Sequence, residues 1–241
     1  MSIALAAWWQ NPFGGQAEPD ALVPLITGAV ALLVVLSGRP WQLARTVLTL
    51  VHEAGHALAA VLVGRRLQGI RLHSDTSGLT FSRGRPTGPG VVFTVLAGYP
   101  APALAGLLFA GLAGADLMSA VLVVSATGVC GVLVMTRNVY GIFVVLLAAG
   151  VLAAVAFLGT PNVVAVFVYA ITWLLLLGAV RPLFELQRKR RRGAARDSDV
   201  DQLARQTEVP AVLWVLILLV LALGCLVVGG AWLLEPALQT T

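Results

Sequence analysis

Long apolar segments separated by short polar ones make up most of the chain. A bilayer core about 30 Å thick requires roughly 20 apolar residues per helix. Seven stretches approach that length, at residues 21–36, 41–63, 90–113, 117–135, 139–158, 163–184 and 210–234. The pattern predicts an all-α polytopic membrane protein with about six to seven transmembrane helices, forming a single membrane domain over residues 1–241.

Two polar stretches interrupt this pattern and have periodicities of their own. Between residues 69 and 82, apolar and polar side chains alternate on both sides of an Asp75–Gly78 turn, which predicts a small β-hairpin associated with the membrane. The second stretch is a basic loop over residues 185–209. Within it, Ser198 is followed three positions later by Asp201, a spacing typical of a capping box, so a short helix is expected to begin there.

Composition excludes an ordinary water-soluble globule. Hydrophobic residues make up 59% of the chain and charged residues 11%, whereas soluble domains carry about 25% charged residues. We therefore expect an integral membrane protein whose surroundings are the lipid bilayer.

The distribution of basic residues predicts an orientation and a class of partner. Of the 16 Lys and Arg residues, eight lie between Arg181 and Arg205, and most of the others lie between residues 64 and 89. The positive-inside rule therefore places both segments in the cytoplasm. Because the basic run at 188–192 contains no aromatic residue on which bases could stack, we expect no nucleic-acid partner.

The second apolar segment contains the one sequence motif that indicates chemistry. It reads His52-Glu53-Ala54-Gly55-His56, an HExxH sequence. On a helix, residues four apart lie on one face about 6 Å apart in height, so both imidazoles can bind one metal ion while Glu53 stands beside it. With three His and five Glu in 241 residues, about 0.0008 accidental matches are expected per chain.

The surrounding apolar helix strengthens this interpretation. A charged side chain at the centre of a membrane helix is costly, so an intramembrane Glu53 is a functional hypothesis by default. The alternative is a buried polar cluster of His52, Glu53 and His56 that joins helices without metal. Such a cluster does not need the HExxH order, which favours a metal site.

The residue types predict zinc-dependent hydrolysis. Two neutral imidazoles and one carboxylate leave a coordination position of Zn²⁺ open for water, whose pKa the metal lowers to about 7. Glu53 is expected to act as general base and then to protonate the departing amine of a cleaved peptide bond.

The chain resembles the site-2 protease family of intramembrane zinc metallopeptidases, and in particular its compact branch without a PDZ domain. The resemblance rests on the HExxH motif in an apolar helix, on Gly64-Arg65-Arg66 at the end of that helix, on the following hairpin, and on Ala97-Gly98-Tyr99-Pro100. It implies that single-span membrane proteins are the substrates, and that the hairpin pairs with an unwound substrate segment.

The third metal ligand is the point at which the chain departs from that family. Typical members supply an Asp from an Asn-x-x-Pro…Asp-Gly motif, which this sequence lacks. Glu185 lies at the end of an apolar span, and members of the compact branch carry an aromatic-acid pair before a Ser-Asp pair, as Phe184-Glu185 precedes Ser198-Asp199 here. We therefore predict Glu185 as the third ligand, with Asp199 as the next candidate. Each also has a plain structural role open to it, since Glu185 can pair with Arg181 and Asp199 can stabilise a helix N-terminus.

The sequence thus predicts an intramembrane zinc metalloendopeptidase in which His52, His56 and Glu185 bind Zn²⁺ and Glu53 is catalytic. The expected location is the plasma membrane of a bacterium. Two alternatives stay open: a catalytically inactive scaffold that keeps the protease fold, and a metal-ion transporter or sensor that uses His52 and His56.

Overall fold

A computed structural model of the chain describes residues 20, 22–193 and 197–239, with side chains through Glu235. Its helices are α1 (Leu22–Leu36), α2 (Arg39–Leu62), α3 (Pro89–Leu96), α4 (Pro100–Gly114), α5 (Met118–Met135), α6 (Val139–Leu158), α7 (Pro161–Arg191), α8 (Asp199–Thr207) and α9 (Ala211–Gln239). Its strands are β1 (Arg66–Leu72) and β2 (Gly78–Arg83).

Four helices, α5, α6, α7 and α9, are each long and apolar enough to cross a membrane. Two further pairs qualify only together, because α1 and α2 meet at an angle of 102° and α3 and α4 at 62°. Pro40 and Pro100 stand in the first turns of α2 and α4, and a proline has no backbone N–H to continue the hydrogen bonds of the preceding helix. The all-α polytopic fold is confirmed: the described residues contain four candidate spans, or up to six if each bent pair is one span, and the spans expected at 21–36 and 41–63 form one of these pairs.

The main core of the described residues forms where α4, α7 and α9 meet. Leu176 of α7 is fully buried there. A Cβ atom added to Gly106 of α4 or to Gly229 of α9 would lie 2.9 Å from the Leu176 side chain. These two glycines therefore allow three helices to approach closely, as small residues do in membrane bundles.

The expected hairpin is present, as an antiparallel pair of β1 and β2 that extends a few residues beyond the predicted range. In its turn, Oδ1 of Asp75 accepts hydrogen bonds from the backbone N and the hydroxyl of Ser77, at 3.0 and 2.6 Å. These local hydrogen bonds stabilise the hairpin turn, as is typical of Asp and Ser in turns.

The outer edge of β1 is occupied by the segment that joins α5 to α6. The backbone N of Arg137 donates to the carbonyl of Ile70 at 2.9 Å. The Asn138 side chain pairs with both backbone groups of Leu72, its Nδ2 donating to the carbonyl at 2.7 Å and its Oδ1 accepting from the N–H at 3.2 Å. In the described part of the chain, β2 pairs with β1 alone.

Much of the segment expected as a basic loop at 185–209 is helical. Helix α7 continues to Arg191, and α8 begins at Asp199. The predicted capping box is confirmed: Oδ2 of Asp201 accepts hydrogen bonds from the hydroxyl and the backbone N of Ser198, at 2.5 and 3.3 Å. A run of arginines and lysine does not end a helix, since both residue types favour it.

Candidate metal centre

The HExxH motif lies on α2, and its two imidazoles meet. Nε2 of His52 lies 3.1 Å from Nε2 of His56, with the rings edge to face at a centroid distance of 4.7 Å. Glu53 and His56 are both buried. The single helical turn between the histidines therefore produces the convergence that their spacing predicts.

The third member of the cluster comes from a distant helix. Oδ2 of Asp199, the first residue of α8, lies 3.1 Å from Nε2 of His52 and 3.3 Å from Nε2 of His56. Burial raises the pKa of Asp199, but hydrogen bonds and charge from the two histidines outweigh it and hold this pKa below its usual range. Asp199 is thus an ionised carboxylate facing two ring nitrogens.

This donor set fits a zinc ion. Zinc binds histidine N and carboxylate O at about 2.0–2.2 Å, so two donors of a tetrahedral site lie about 3.3–3.6 Å apart. The three donor separations in the cluster are 3.1, 3.1 and 3.3 Å. Three groups that carry lone pairs converge on one point, an arrangement that a cation stabilises.

A hydrogen bond on the side of the His56 ring that faces away from the cluster fixes the orientation of the ring. Its Nδ1 lies 2.8 Å from the carbonyl oxygen of Thr94 on α3, so Nδ1 carries the proton and donates it. With zinc bound and the imidazole neutral, the Nε2 lone pair would be directed at the cluster. Such a carbonyl partner is the usual support of a metal-binding histidine.

The carboxylate of Glu53 is held by the hairpin. The Thr80 hydroxyl of β2 donates a hydrogen bond of 2.6 Å to Oε2 of Glu53. A Cβ atom added to Gly78 would lie 2.6 Å from Oε1 of Glu53, so only glycine lets β2 approach this closely. The hairpin therefore lies directly against the predicted general base.

The break between α3 and α4 forms the other wall of the cluster. A Cβ atom added to Gly98 would lie 2.4 Å from Nε2 of His56 and 2.7 Å from Cε1 of His52. The Tyr99 ring packs edge to face on His52 at a centroid distance of 4.8 Å. Gly55, within the motif, also permits a close approach. A Cβ atom added there would lie 2.5 Å from the Cβ atom of Ala101.

Glu185 lies outside this cluster, contrary to the expected ligand set. Its carboxylate accepts hydrogen bonds from Nε1 of Trp41 at 3.0 Å and from Nε of Arg181 at 2.8 Å, and it pairs with Arg45 at 3.2 Å. Three donors thus hold it beside the start of α2. Of the two candidate acids, the structure brings Asp199 to the histidines.

Asp199 is positioned by the contacts of its own helix. Arg190, in the last turn of α7, pairs with Oδ1 of Asp201. Asp201 also bonds Ser198, so one carboxylate joins the residue before Asp199 to α7. The buried Val200 and Leu203 complete the attachment of α8.

A cleft of about 150 Å³ opens beside the cluster. Its walls include His52, Glu53, the hairpin turn, Tyr99 and the middle of α7. The Thr49 hydroxyl donates to the carbonyl of Thr76 at 2.8 Å and thereby joins the hairpin turn to α2 at the rim. The cleft therefore reaches both Glu53 and the hairpin turn.

Sequence comparison agrees with this geometry. A family model described as Peptidase M50B-like matches residues 25–229. The chain belongs to the M50B-like peptidase family. The match includes every residue of the cluster as well as the hairpin, and the resemblance to site-2 proteases is confirmed at the level of the family. Comparisons with curated proteins and with solved structures found no significant match.

Proposed function

We propose that this M50B-like peptidase is an intramembrane zinc metalloendopeptidase in which His52, His56 and Asp199 bind the zinc and Glu53 is the general base. The observation that carries the proposal is the convergence of the three donors beside the buried Glu53. Two histidines and one carboxylate are a known ligand set of catalytic zinc sites, which keep one position open.

The zinc ion and the protein side chains have separate roles in the proposed reaction. Bound zinc supplies Lewis acidity, which lowers the pKa of water and polarises a peptide carbonyl. Glu53 accepts the proton of the attacking water and delivers it to the departing amine. The Thr80 hydroxyl, 2.6 Å from Oε2 of Glu53, orients the carboxylate for this transfer.

The hairpin supports a peptide substrate in extended form. The outer edge of β1 is covered by residues 136–138, whereas β2 pairs only with β1 in the described residues. An extended segment added to β2 gains main-chain hydrogen bonds, and β2 is the strand that contacts Glu53. We propose that a locally unwound segment of a single-span membrane protein binds there.

The proposed location is the plasma membrane of a bacterium. Four to six spans by length and composition make the chain an integral membrane protein. The basic end of α7 and the basic hairpin strands would face the cytoplasm by the positive-inside rule. The partners would be membrane-spanning substrates and lipid, with no nucleic acid.

The proposal is tested by the Glu53→Gln variant of the full chain, reconstituted in liposomes with a panel of single-span transmembrane peptides. We expect cleavage, followed by mass spectrometry, to fall by roughly two orders of magnitude or more, the range lost with a general base. Zinc content should stay at one ion per chain. Glu208→Gln, at an exposed acid at the end of α8, is the matched control and should cleave like the wild type.

The Glu53→Gln variant also separates the two alternatives, with cellular function and metal flux as further measurements. A scaffold predicts that no peptide is cleaved by the zinc-loaded wild type and that Glu53→Gln leaves cellular function intact. A transporter predicts metal flux into the liposomes that tolerates the Glu53 replacement. Either result would reject the peptidase.

A further inference from the structure

A second pocket, of about 350 Å³, lies between the end of α7 and the start of α9. It shares no lining residue with the cleft beside His52. Its walls combine polar residues from α7 with apolar residues from α9, in particular Gln187, Arg188, Arg191, Val212, Leu216 and Leu219. The proposed peptidase mechanism uses none of these residues.

One end of the pocket is cationic. Arg188 and Arg191 are exposed in the last turn of α7, and neither forms an ion pair with another described residue. Arg190, in the same turn, is engaged by Asp201. Two unpaired guanidinium groups at one rim fit a phosphodiester, which arginine binds through paired N–H donors.

The wall near those arginines contains an unsatisfied acceptor. Oε1 of Gln187 is buried and has no hydrogen-bond partner among the described residues. A buried acceptor without a partner is costly, and native structures usually supply one. A hydroxyl or ammonium donor on a ligand in the pocket would satisfy it.

The other wall is apolar and partly exposed. Val212, Leu216 and Leu219 follow one another at helical spacing along α9, which extends about 10 Å over these residues. Val212 and Leu216 are 46% and 51% exposed. This wall can hold the first part of an acyl chain while the arginines bind a headgroup.

We propose that this pocket binds an anionic phospholipid, with its phosphate on Arg188 and Arg191 and its headgroup donor on Gln187. The basic last turn of a membrane-spanning helix lies at the depth of lipid phosphates, where arginines attract anionic headgroups. The charge at one end and the apolar wall at the other match the two parts of a phospholipid.

The experiment measures retained lipid on the full chain purified in mild detergent. Phosphatidylglycerol or phosphatidylcholine is titrated in, and bound lipid is read by native mass spectrometry. The test variant Arg188→Gln/Arg191→Gln is compared with Lys189→Gln/Arg192→Gln, which removes equal charge from residues outside the pocket. Loss of two charge-assisted contacts is expected to weaken phosphatidylglycerol binding roughly tenfold to hundredfold in the test variant alone.

Three outcomes overturn the proposal. Equal weakening in both double variants would mean diffuse attraction to the basic cluster, and equal retention of phosphatidylcholine would remove the role of the charge. Displacement of the lipid by excess inorganic phosphate would assign the pocket to free phosphate. If the double variant does not fold, Gln187→Leu retains both arginines, and unchanged phosphatidylglycerol affinity in that variant would also count against the site.

Discussion

Oδ2 of Asp199 lies 3.1 Å from Nε2 of His52, although the two residues are 147 positions apart in the sequence. This contact makes Asp199 the acid that completes the cluster. We expect Asp199→Asn to lose more zinc affinity than the roughly 10–100-fold typical of changes to residues that only support a ligand. Zinc retained against a graded chelator series measures it. Full retention of zinc would remove Asp199 from the ligand set.

Glu185→Gln tests the converse expectation, that Glu185 does not bind the zinc. The change leaves Arg45 and Arg181 without their carboxylate partner, but these groups are partly exposed, so we expect a loss of about 1 kcal/mol or less. That corresponds to a fall in melting temperature of at most about 2–4 °C for a chain of this size. Zinc content should equal that of the wild type, and its loss would restore Glu185 as a candidate ligand.

The hydrogen bond from Thr80 to Glu53 predicts a role of the hairpin in catalysis. Thr80→Val keeps the branched shape and removes the hydroxyl, so Glu53 loses its 2.6 Å partner. We expect the cleavage rate to fall about tenfold or more with zinc content unchanged. Thr80→Ser keeps the hydroxyl and should recover most of the rate; equal rates in all three proteins would exclude this role.

Gly98 is expected to tolerate no side chain. In Gly98→Ala, the new Cβ would lie 2.4 Å from Nε2 of His56, closer than any ordinary contact, and must displace the imidazoles. We expect zinc affinity and cleavage to fall together. Gly128→Ala on α5 is the control, because nothing lies within 4 Å of its Cβ and alanine favours a helix. Its zinc content and activity should match the wild type.

The ion pair between Arg190 and Asp201 joins α7 to α8. Removing it should weaken the attachment of α8 without changing any residue of the cluster. Arg190→Met removes the contact that ties α8 to α7, next to Asp199. We expect zinc affinity to fall about 10–100-fold, as for residues that orient a ligand. Arg190→Lys should recover part of it, and the neighbouring change Lys189→Met should have no effect. Equal affinity in Arg190→Met and the wild type would contradict this positioning role.

The local part of the site could be predicted from the sequence, because His52, Glu53 and His56 share one helical turn. The spacing alone determines that both imidazoles face the same way. The capping box at Ser198 and Asp201 was predictable for the same reason, since its partners are three residues apart. Short-range geometry of this kind needs no knowledge of how helices pack.

The third ligand depends on packing, and the structure places Asp199 beside the histidines where the sequence favoured Glu185. Glu185 follows an apolar span, which favoured it, but its partners Trp41 and Arg45 lie on α2, and no periodicity reveals that contact. Asp199 reaches the histidines only because α8 folds back against the bundle. The supports from Thr80 and from the Thr94 carbonyl were missed because they depend on the same long-range packing.

The order of the cluster residues along the sequence has a consequence for biosynthesis. Ribosomes deliver residues 52–56 to the membrane early, whereas α8 emerges only after α7 has been made. During that interval the nascent protein holds two imidazoles and a base but lacks the carboxylate that completes the proposed centre. The proposed activity would therefore begin only after α8 has been translated and has brought Asp199 to the histidines of α2.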